Sequence, residues 1–155
     1  MKNQFDLLKT TRNNIYTSVK DIAFEQINYI PTPYNNSIGW QVGHVVVTQQ
    51  LLHYKLSNNT IIIEEELVEN LKKGSSGKYI LTQKQWQYIL EHLVQLPILL
   101  EKDYNNTLFT TFETYSTSYG FTLQNIEDAI AFNNLHEAMH LGTINAMKKL
   151  IPVFS

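Results

Sequence analysis

The sequence contains no cysteine. This absence excludes disulfide bonds, protein thiolate nucleophiles and cysteine-based zinc sites in one step. Histidine and the carboxylates are the side chains that remain to bind a metal ion. Any thiol chemistry would need a thiol that enters as a cosubstrate.

Long apolar runs and an excess of charge of either sign are also missing. No segment approaches the roughly 20 apolar residues that span a membrane, and the first residues lack the apolar core of a signal peptide. The formal net charge is -2, with acids and bases scattered along the chain. Nucleic acids and membrane surfaces favour clustered basic residues. We therefore expect a cytoplasmic protein with no nucleic-acid partner and no membrane partner.

Glycine and proline are scarce, and apolar residues recur at three- to four-residue steps, which indicates helices. The predicted helices lie near 5–29, 37–56, 82–102 and 122–150. With 155 residues and 43% hydrophobic content, the chain can bury one core of its own. We predict a single domain over residues 1–155 with an all-α fold, a four-helix bundle.

The ends of these helices carry recognisable signals. Ser37 and Thr122 are expected N-caps, and Thr82 begins a capping-box pattern. Pro97 is expected to kink or locally break the third helix, because proline lacks a backbone N–H and clashes with the preceding turn. The connection between helices two and three, over 57–81, is long, and long crossovers occur in some four-helix bundles.

The histidines are the candidate metal ligands of this sequence. His136 and His140 lie four residues apart, so they share one face of the last helix and one divalent metal can lie between them. His44 falls on the apolar face of the second helix together with Trp40. His53, nine residues further, should lie on the opposite side, as a surface or second-interface residue, and we exclude it as a ligand. A buried imidazole can also bond a backbone carbonyl or another side chain, so HxxxH alone leaves both interpretations open.

Three inward histidines would leave one coordination position of a metal free, as in catalytic zinc sites. Glu137 lies about 100° around the helix from His136, which suits a supporting or proton-handling catalytic role better than direct ligation. Asn133, one turn before the pair, could orient a bound cofactor or only fill the face. Trp40 could pack against the site or form a wall of a substrate pocket.

Two glycines stand inside helices beside the histidines. Gly43 and Gly142 are each unfavourable there by roughly 1 kcal/mol relative to alanine. We expect close approach of a neighbouring helix or of a ligand at both positions.

The same residues are open to three other interpretations. His136-Glu137-Ala138-Met139-His140 fits the H-E-x-x-H pattern of zinc proteases, but no His, Asp or Glu follows to act as a downstream third ligand. Glu137-x-x-His140 matches half of a di-iron carboxylate site, whose second half is missing from the chain. A third possibility is a bundle without chemistry, in which the histidines are core residues and the surface binds a partner.

Two short motifs resemble those of a known family. Trp40-Gln41-Val42-Gly43-His44 in the second helix, and His136-x-x-x-His140-Leu141-Gly142-Thr143-Ile144 in the fourth, are similar to the DinB/YfiT-like superfamily. The resemblance implies a four-helix bundle with Zn, Ni or Fe on three histidines, which correspond to His44, His136 and His140. Some members are thiol S-transferases or thiol-dependent isomerases that use low-molecular-weight thiols.

The expected function follows from the open metal position, the absence of a protein thiol and this resemblance. It is a metal-dependent S-transferase that joins a low-molecular-weight thiol to a small electrophilic substrate. The alternatives are a metal-dependent hydrolase and a non-catalytic, metal-stabilised binding protein. Aromatic residues in the segment 104–121, more than a small bundle needs to bury, lead us to expect a homodimer.

Overall fold

Helices dominate the computed structural model, which describes residues 1–152. In chain order the elements are α1 (Lys2–Val19), α2 (Phe24–Ile27), α3 (Ile38–Gln49), α4 (Glu65–Leu71), α5 (Gln83–Asn105), β1 (Tyr115–Ser116), β2 (Thr122–Leu123) and α6 (Ile126–Lys148). A π-helical segment, Gln50–Tyr54, and a 3-10 turn, Lys55–Ser57, extend α3. The predicted all-α helical bundle is confirmed. Within residues 1–152 no helix combines the length and the apolar character needed to cross a bilayer.

The four long helices form the bundle. α1 and α3 each pack against both α5 and α6, which places α1 and α3 at opposite corners. The short helix α4, from the long connection, packs against α3, so every residue of α3 from Ile38 to Val47 is buried. The antiparallel pair β1–β2 precedes α6, and β2 packs against it. α3 is therefore the most enclosed helix of the molecule.

The predicted N-caps are confirmed for two helices and wrong for the last one. The Ser37 side chain accepts a hydrogen bond from the Trp40 amide at 3.1 Å, and Thr82 forms the expected capping box with Gln85. Thr122, in contrast, belongs to β2, and Asn125 caps α6. The extended pairing of β2 buries the Leu123 side chain, so the chain cannot enter the helix before this strand ends.

The first predicted helix, over 5–29, ends at Val19, and a separate short helix follows. Ala23 adopts an extended backbone, and the Gln26 side chain accepts a hydrogen bond from its amide at 3.1 Å. Gln26 also donates to the carbonyl of Pro152 at 2.7 Å. Such side chain to backbone bonds compete with continuous helix, which explains the interruption.

α5 runs through Pro97 without a break, so a local break was the wrong expectation, and a kink at Pro97 stays a prediction. Proline cannot donate to the carbonyl four residues earlier, which is that of Leu93. The Nη1 atom of Arg12 donates to this carbonyl oxygen at 3.1 Å. A side chain from α1 thus replaces the hydrogen bond that Pro97 removes.

The two helical glycines differ in their surroundings. A Cβ on Gly43 would lie 2.6 Å from Leu71 Cδ1 and 3.2 Å from Ile89 Cδ1, which confirms the expected close approach. A Cβ on Gly142 would meet nothing within 4 Å. Close approach of a neighbouring helix was therefore wrong for Gly142 within the part of the chain that the structure describes, and close approach of a ligand stays a prediction.

Candidate metal centre

The packing of α3 against α6 brings three histidine rings together. His44, His136 and His140 each offer a ring nitrogen, and these nitrogens lie within 4.8 Å of one another. The Nε2 atoms of His136 and His140 are 3.0 Å apart. The ring centroid of His44 lies 5.2 Å from that of His136 and 4.9 Å from that of His140. Such a cluster is able to hold a divalent metal ion.

Hydrogen bonds behind two of the rings fix which nitrogen faces inward. His44 Nδ1 donates to the carbonyl oxygen of Leu71 at 2.7 Å, and His140 Nδ1 donates to Gln41 Oε1. Gln41 is itself held by Asn36, since its Nε2 donates to Asn36 Oδ1 at 2.8 Å. Each imidazole then carries its proton on Nδ1 and directs the lone pair of Nε2 into the cluster, which is the arrangement of metal-ligating histidines.

His136 completes the fit to a metal ion. Its Nδ1 atom is buried and has no hydrogen-bond partner within residues 1–152. Its Nε2 atom faces the lone pair of His140 Nε2. Without a cation, the two Nε2 atoms can share one proton in a hydrogen bond. A cation between the rings would instead accept the lone pairs that His44 and His140 direct into the cluster.

The protonation states suit ligation as well. Burial lowers the pKa of His44, and it lowers the pKa of His140 to about 4. Burial, followed by repulsion from His140, His44 and Arg12, lowers the pKa of His136 to about 2. All three rings are neutral near pH 7, so a metal ion need not displace protons from them.

The cluster opens on one side into a cavity of about 470 Å³. His44 and His136 line it, and its walls are mainly apolar, with Leu51, Leu52 and Phe132 among them. Trp40 lies against the His44 ring instead, stacked with a centroid distance of 4.6 Å and an interplanar angle of 8°. Its Nε1 donates to the Asn70 carbonyl at 3.2 Å and to Ser75 Oγ at 3.1 Å.

A family comparison agrees with this geometry. The model of the DinB superfamily matches residues 7–144, a span that includes the three histidines. The chain belongs to the DinB superfamily. A comparison with curated proteins gave no match. The family and the three-histidine cluster together are compatible with a metal-binding protein.

Glu137 and Asn133 occupy a different part of this DinB-superfamily bundle. Glu137 is completely buried, and both carboxylate oxygens are bonded. Oε2 accepts from Arg12 Nε at 2.6 Å, and Oε1 accepts from Arg12 Nη2 and Asn133 Nδ2, each at 2.7 Å. Within residues 1–152 no hydrogen bond joins either side chain to the three histidines. Their predicted roles at the cofactor stay predictions.

Arg12 is the residue that the sequence interpretation missed. Besides Glu137, its guanidinium donates to the carbonyl oxygens of Leu93 and Val45 and to Gln49 Oε1 at 2.7 Å. We call Arg12, Gln49, Asn133 and Glu137 the Arg12 network. Arg12 stands among the apolar positions of α1, and Glu137 among those of α6. Opposite charges at such positions were a signal of a buried ion pair, because buried charges require partners.

The other two histidines lie outside the cluster. His53 was expected at a surface or a second interface, but it is completely buried. That expectation was wrong because the π-helical segment that carries His53 packs against α6. His53 Nδ1 donates to the Gln49 carbonyl at 2.7 Å, and burial lowers its pKa to about 4. His92 is half-buried and donates to the Tyr88 carbonyl at 2.8 Å.

Proposed function

We propose that this DinB-superfamily protein is a metal-dependent S-transferase that joins a low-molecular-weight thiol to a small electrophile. His44, His136 and His140 would hold the divalent metal, which is Zn, Ni or Fe. The observation that carries the proposal is the convergence of three neutral imidazoles, two of which line an open, mostly apolar cavity. Three ligands leave a coordination position for a reactant, and the cavity provides space for a second one.

The metal, the cavity walls and the thiol have separate roles in this reaction. A bound divalent metal supplies a positive charge that lowers the pKa of a thiol or a water molecule at the open position. The apolar walls formed by Leu52 and Phe132 exclude bulk water from the reactants. The sulfur forms a bond to the electrophilic carbon, the leaving group departs with its bonding electrons, and the thiol proton passes to solvent. The thiol is a cosubstrate because the chain has no cysteine.

The residues behind the ligands have positioning roles in this proposal. Gln41 and the Leu71 carbonyl orient His140 and His44 through their Nδ1 atoms. Trp40 holds the His44 ring by stacking on it. Glu137 anchors the middle of α6 through Arg12, since both of its oxygens are already bonded.

Metal content tests the ligand assignment directly. Alanine at any one of His44, His136 and His140 should remove most of the bound metal, because a two-histidine remnant lacks the third donor. Alanine at His53 or His92 should leave the metal content unchanged. Elemental analysis of the five purified variants decides this, and equal metal content in all five would refute the assignment.

Thiol binding tests the activity. Cobalt-substituted protein, titrated with a panel of biological thiols, should show a changed d–d absorption spectrum when sulfur enters the open position. The same panel with a chromogenic electrophile should give turnover that His140→Ala lacks and His92→Ala retains. If no thiol changes the spectrum while an activated ester is hydrolysed, the hydrolase is the correct function. If neither occurs, the metal only stabilises a binding protein.

We also propose that the protein is cytoplasmic and forms a homodimer through the region around β1 and β2. Tyr119 is 60% exposed and Phe121 is 49% exposed there, which is unusual for neighbouring large aromatic side chains. Light scattering at micromolar concentration should give twice the mass of one chain. A monomer mass for the wild type would refute the dimer.

A further inference from the structure

Two lysines border the cavity that begins at the histidine cluster. Lys55 lies where the π-helical extension of α3 passes into the 3-10 turn, and Lys73 follows α4. Both side chains are exposed. Neither ammonium group forms an ion pair within residues 1–152, where the ion pairs use other side chains.

The neighbouring Lys72 provides a contrast. Its ammonium pairs with Glu69, one turn earlier in α4. The chain as a whole has more acids than bases, 14 against 12, yet the described lining of the cavity contains no Asp or Glu. The mouth of the cavity is therefore positively charged on a protein that is negatively charged overall.

Positive groups beside a cleft with apolar walls concentrate the electric field in it and attract anions. A lysine ammonium binds carboxylate, phosphate or sulfonate oxygens as a point charge. The same cavity is also lined by Leu51, Leu56 and Phe132, which suit an apolar body.

We propose that the electrophilic substrate of this site is a small organic anion whose acidic group is bound by Lys55 and Lys73. Its apolar body lies along Leu51, Leu56 and Phe132, and its reactive carbon faces the histidines. This inference rests on the proposed transferase function and specifies the class of its substrate. In this proposal the thiol is bound beside the three histidines, so the electrophile is the reactant that contacts the lysines.

A pair of matched probes tests this charge preference. 3-Phenylpropane-1-sulfonate and 3-phenylpropan-1-ol share one apolar body, and a sulfonate is a poor metal ligand. The difference between their affinities therefore measures the contribution of the lysines. Isothermal titration of the full-length protein as purified, with its metal content measured, should show the sulfonate binding about fivefold tighter or more. Higher salt should reduce the preference, because exposed charges are screened.

Three variants complete the test. Lys55→Gln/Lys73→Gln should bind both probes with similar affinity, while Lys72→Gln should keep the wild-type preference. Equal binding of the two probes to the wild type, no binding of either, or an unchanged preference in the double variant would overturn the proposal. Loss of the preference in Lys72→Gln would overturn it too. The cobalt and turnover experiments test the metal chemistry separately, so either proposal can fail alone.

Discussion

The bundle contains two buried polar clusters that differ in how their groups are partnered. In the Arg12 network the guanidinium and the carboxylate are paired through two short hydrogen bonds, and the remaining donors reach carbonyl and amide oxygens. In the histidine cluster, two Nδ1 atoms are held from behind, while the inner nitrogens face one another and a cavity.

This difference separates a structural cluster from a ligand site. In the Arg12 network a buried charge already has its partner, and the pair joins the helices that carry the two groups. In the histidine cluster the inner nitrogens are neutral and lie beside an open cavity, and their neighbours are one another and the Thr48 hydroxyl, 3.3 Å from His44 Nε2. This arrangement suits a ligand that comes from outside. The Glu137 carboxylate, which follows His136 directly in sequence, belongs to the first class because of Arg12.

Substitution of Arg12 should have the largest effect on stability of the changes considered for the two clusters. Arg12→Met should lower the free energy of unfolding by about 3–5 kcal/mol, because Glu137 would stay buried with its charge unpaired. The carbonyl of Leu93 would also lose its donor. Urea denaturation followed by circular dichroism measures this change.

The double variant Arg12→Met/Glu137→Met is the matched control. It removes both charges, so it should recover most of the lost stability. Additive losses in the double variant, or a cost below about 1 kcal/mol in the single variant, would show that the ion pair does not hold the bundle.

His53 is a third case, because it is a buried histidine that belongs to neither cluster. The pKa of its imidazole is about 4 in the folded protein and about 6.5 when unfolded. Since the unfolded chain binds the proton more readily, stability is complete above about pH 6.5 and decreases as the pH falls toward 4. This single group should account for about 3 kcal/mol over that window.

Urea denaturation of the wild type and of His53→Gln between pH 4 and 7 measures this contribution. The difference between the two curves isolates His53, since the three clustered histidines are present in both proteins. Parallel curves would show that His53 is not protonated on unfolding in this range.

Gln41 tests the support behind the histidine cluster. Gln41→Leu removes the acceptor that orients His140, so metal affinity should fall roughly 10- to 100-fold. Gln41→Glu keeps an acceptor at the same position and should retain the wild-type affinity or exceed it. Competition with a metallochromic chelator measures both, and equal affinities in the two variants would remove Gln41 from the site.

The two helical glycines give the smallest expected effects, with opposite signs. Gly142→Ala should stabilise the protein by about 0.5–1 kcal/mol, because the new methyl group meets open space and alanine favours helix. Gly43→Ala should destabilise it by about 1–2 kcal/mol, because the methyl group overlaps Leu71. Thermal denaturation compares them, and effects of the same sign would contradict the packing around Gly43.

Local patterns were sufficient to predict the helices and the three clustered histidines. The apolar period and the caps at Ser37 and Thr82 depend on neighbours within a few residues. Three other features depend on distant segments: the start of α6 on β2, the burial of His53 on α6, and the continuity of α5 at Pro97 on Arg12. No local pattern contains those contacts, although Arg12 in an apolar stripe indicated that one existed.

Arg12 also has a consequence for how this protein folds. The side chain comes from α1, and its partners lie on α3, α5 and α6. A partly assembled bundle with one of these helices undocked would expose the ion pair to water or leave some donors of Arg12 without their acceptors. Such an intermediate would therefore gain little stabilisation from the Arg12 network. Assembly should therefore be all-or-none, and amide hydrogens in the centres of all four long helices should exchange with one common free energy of opening, that of global unfolding.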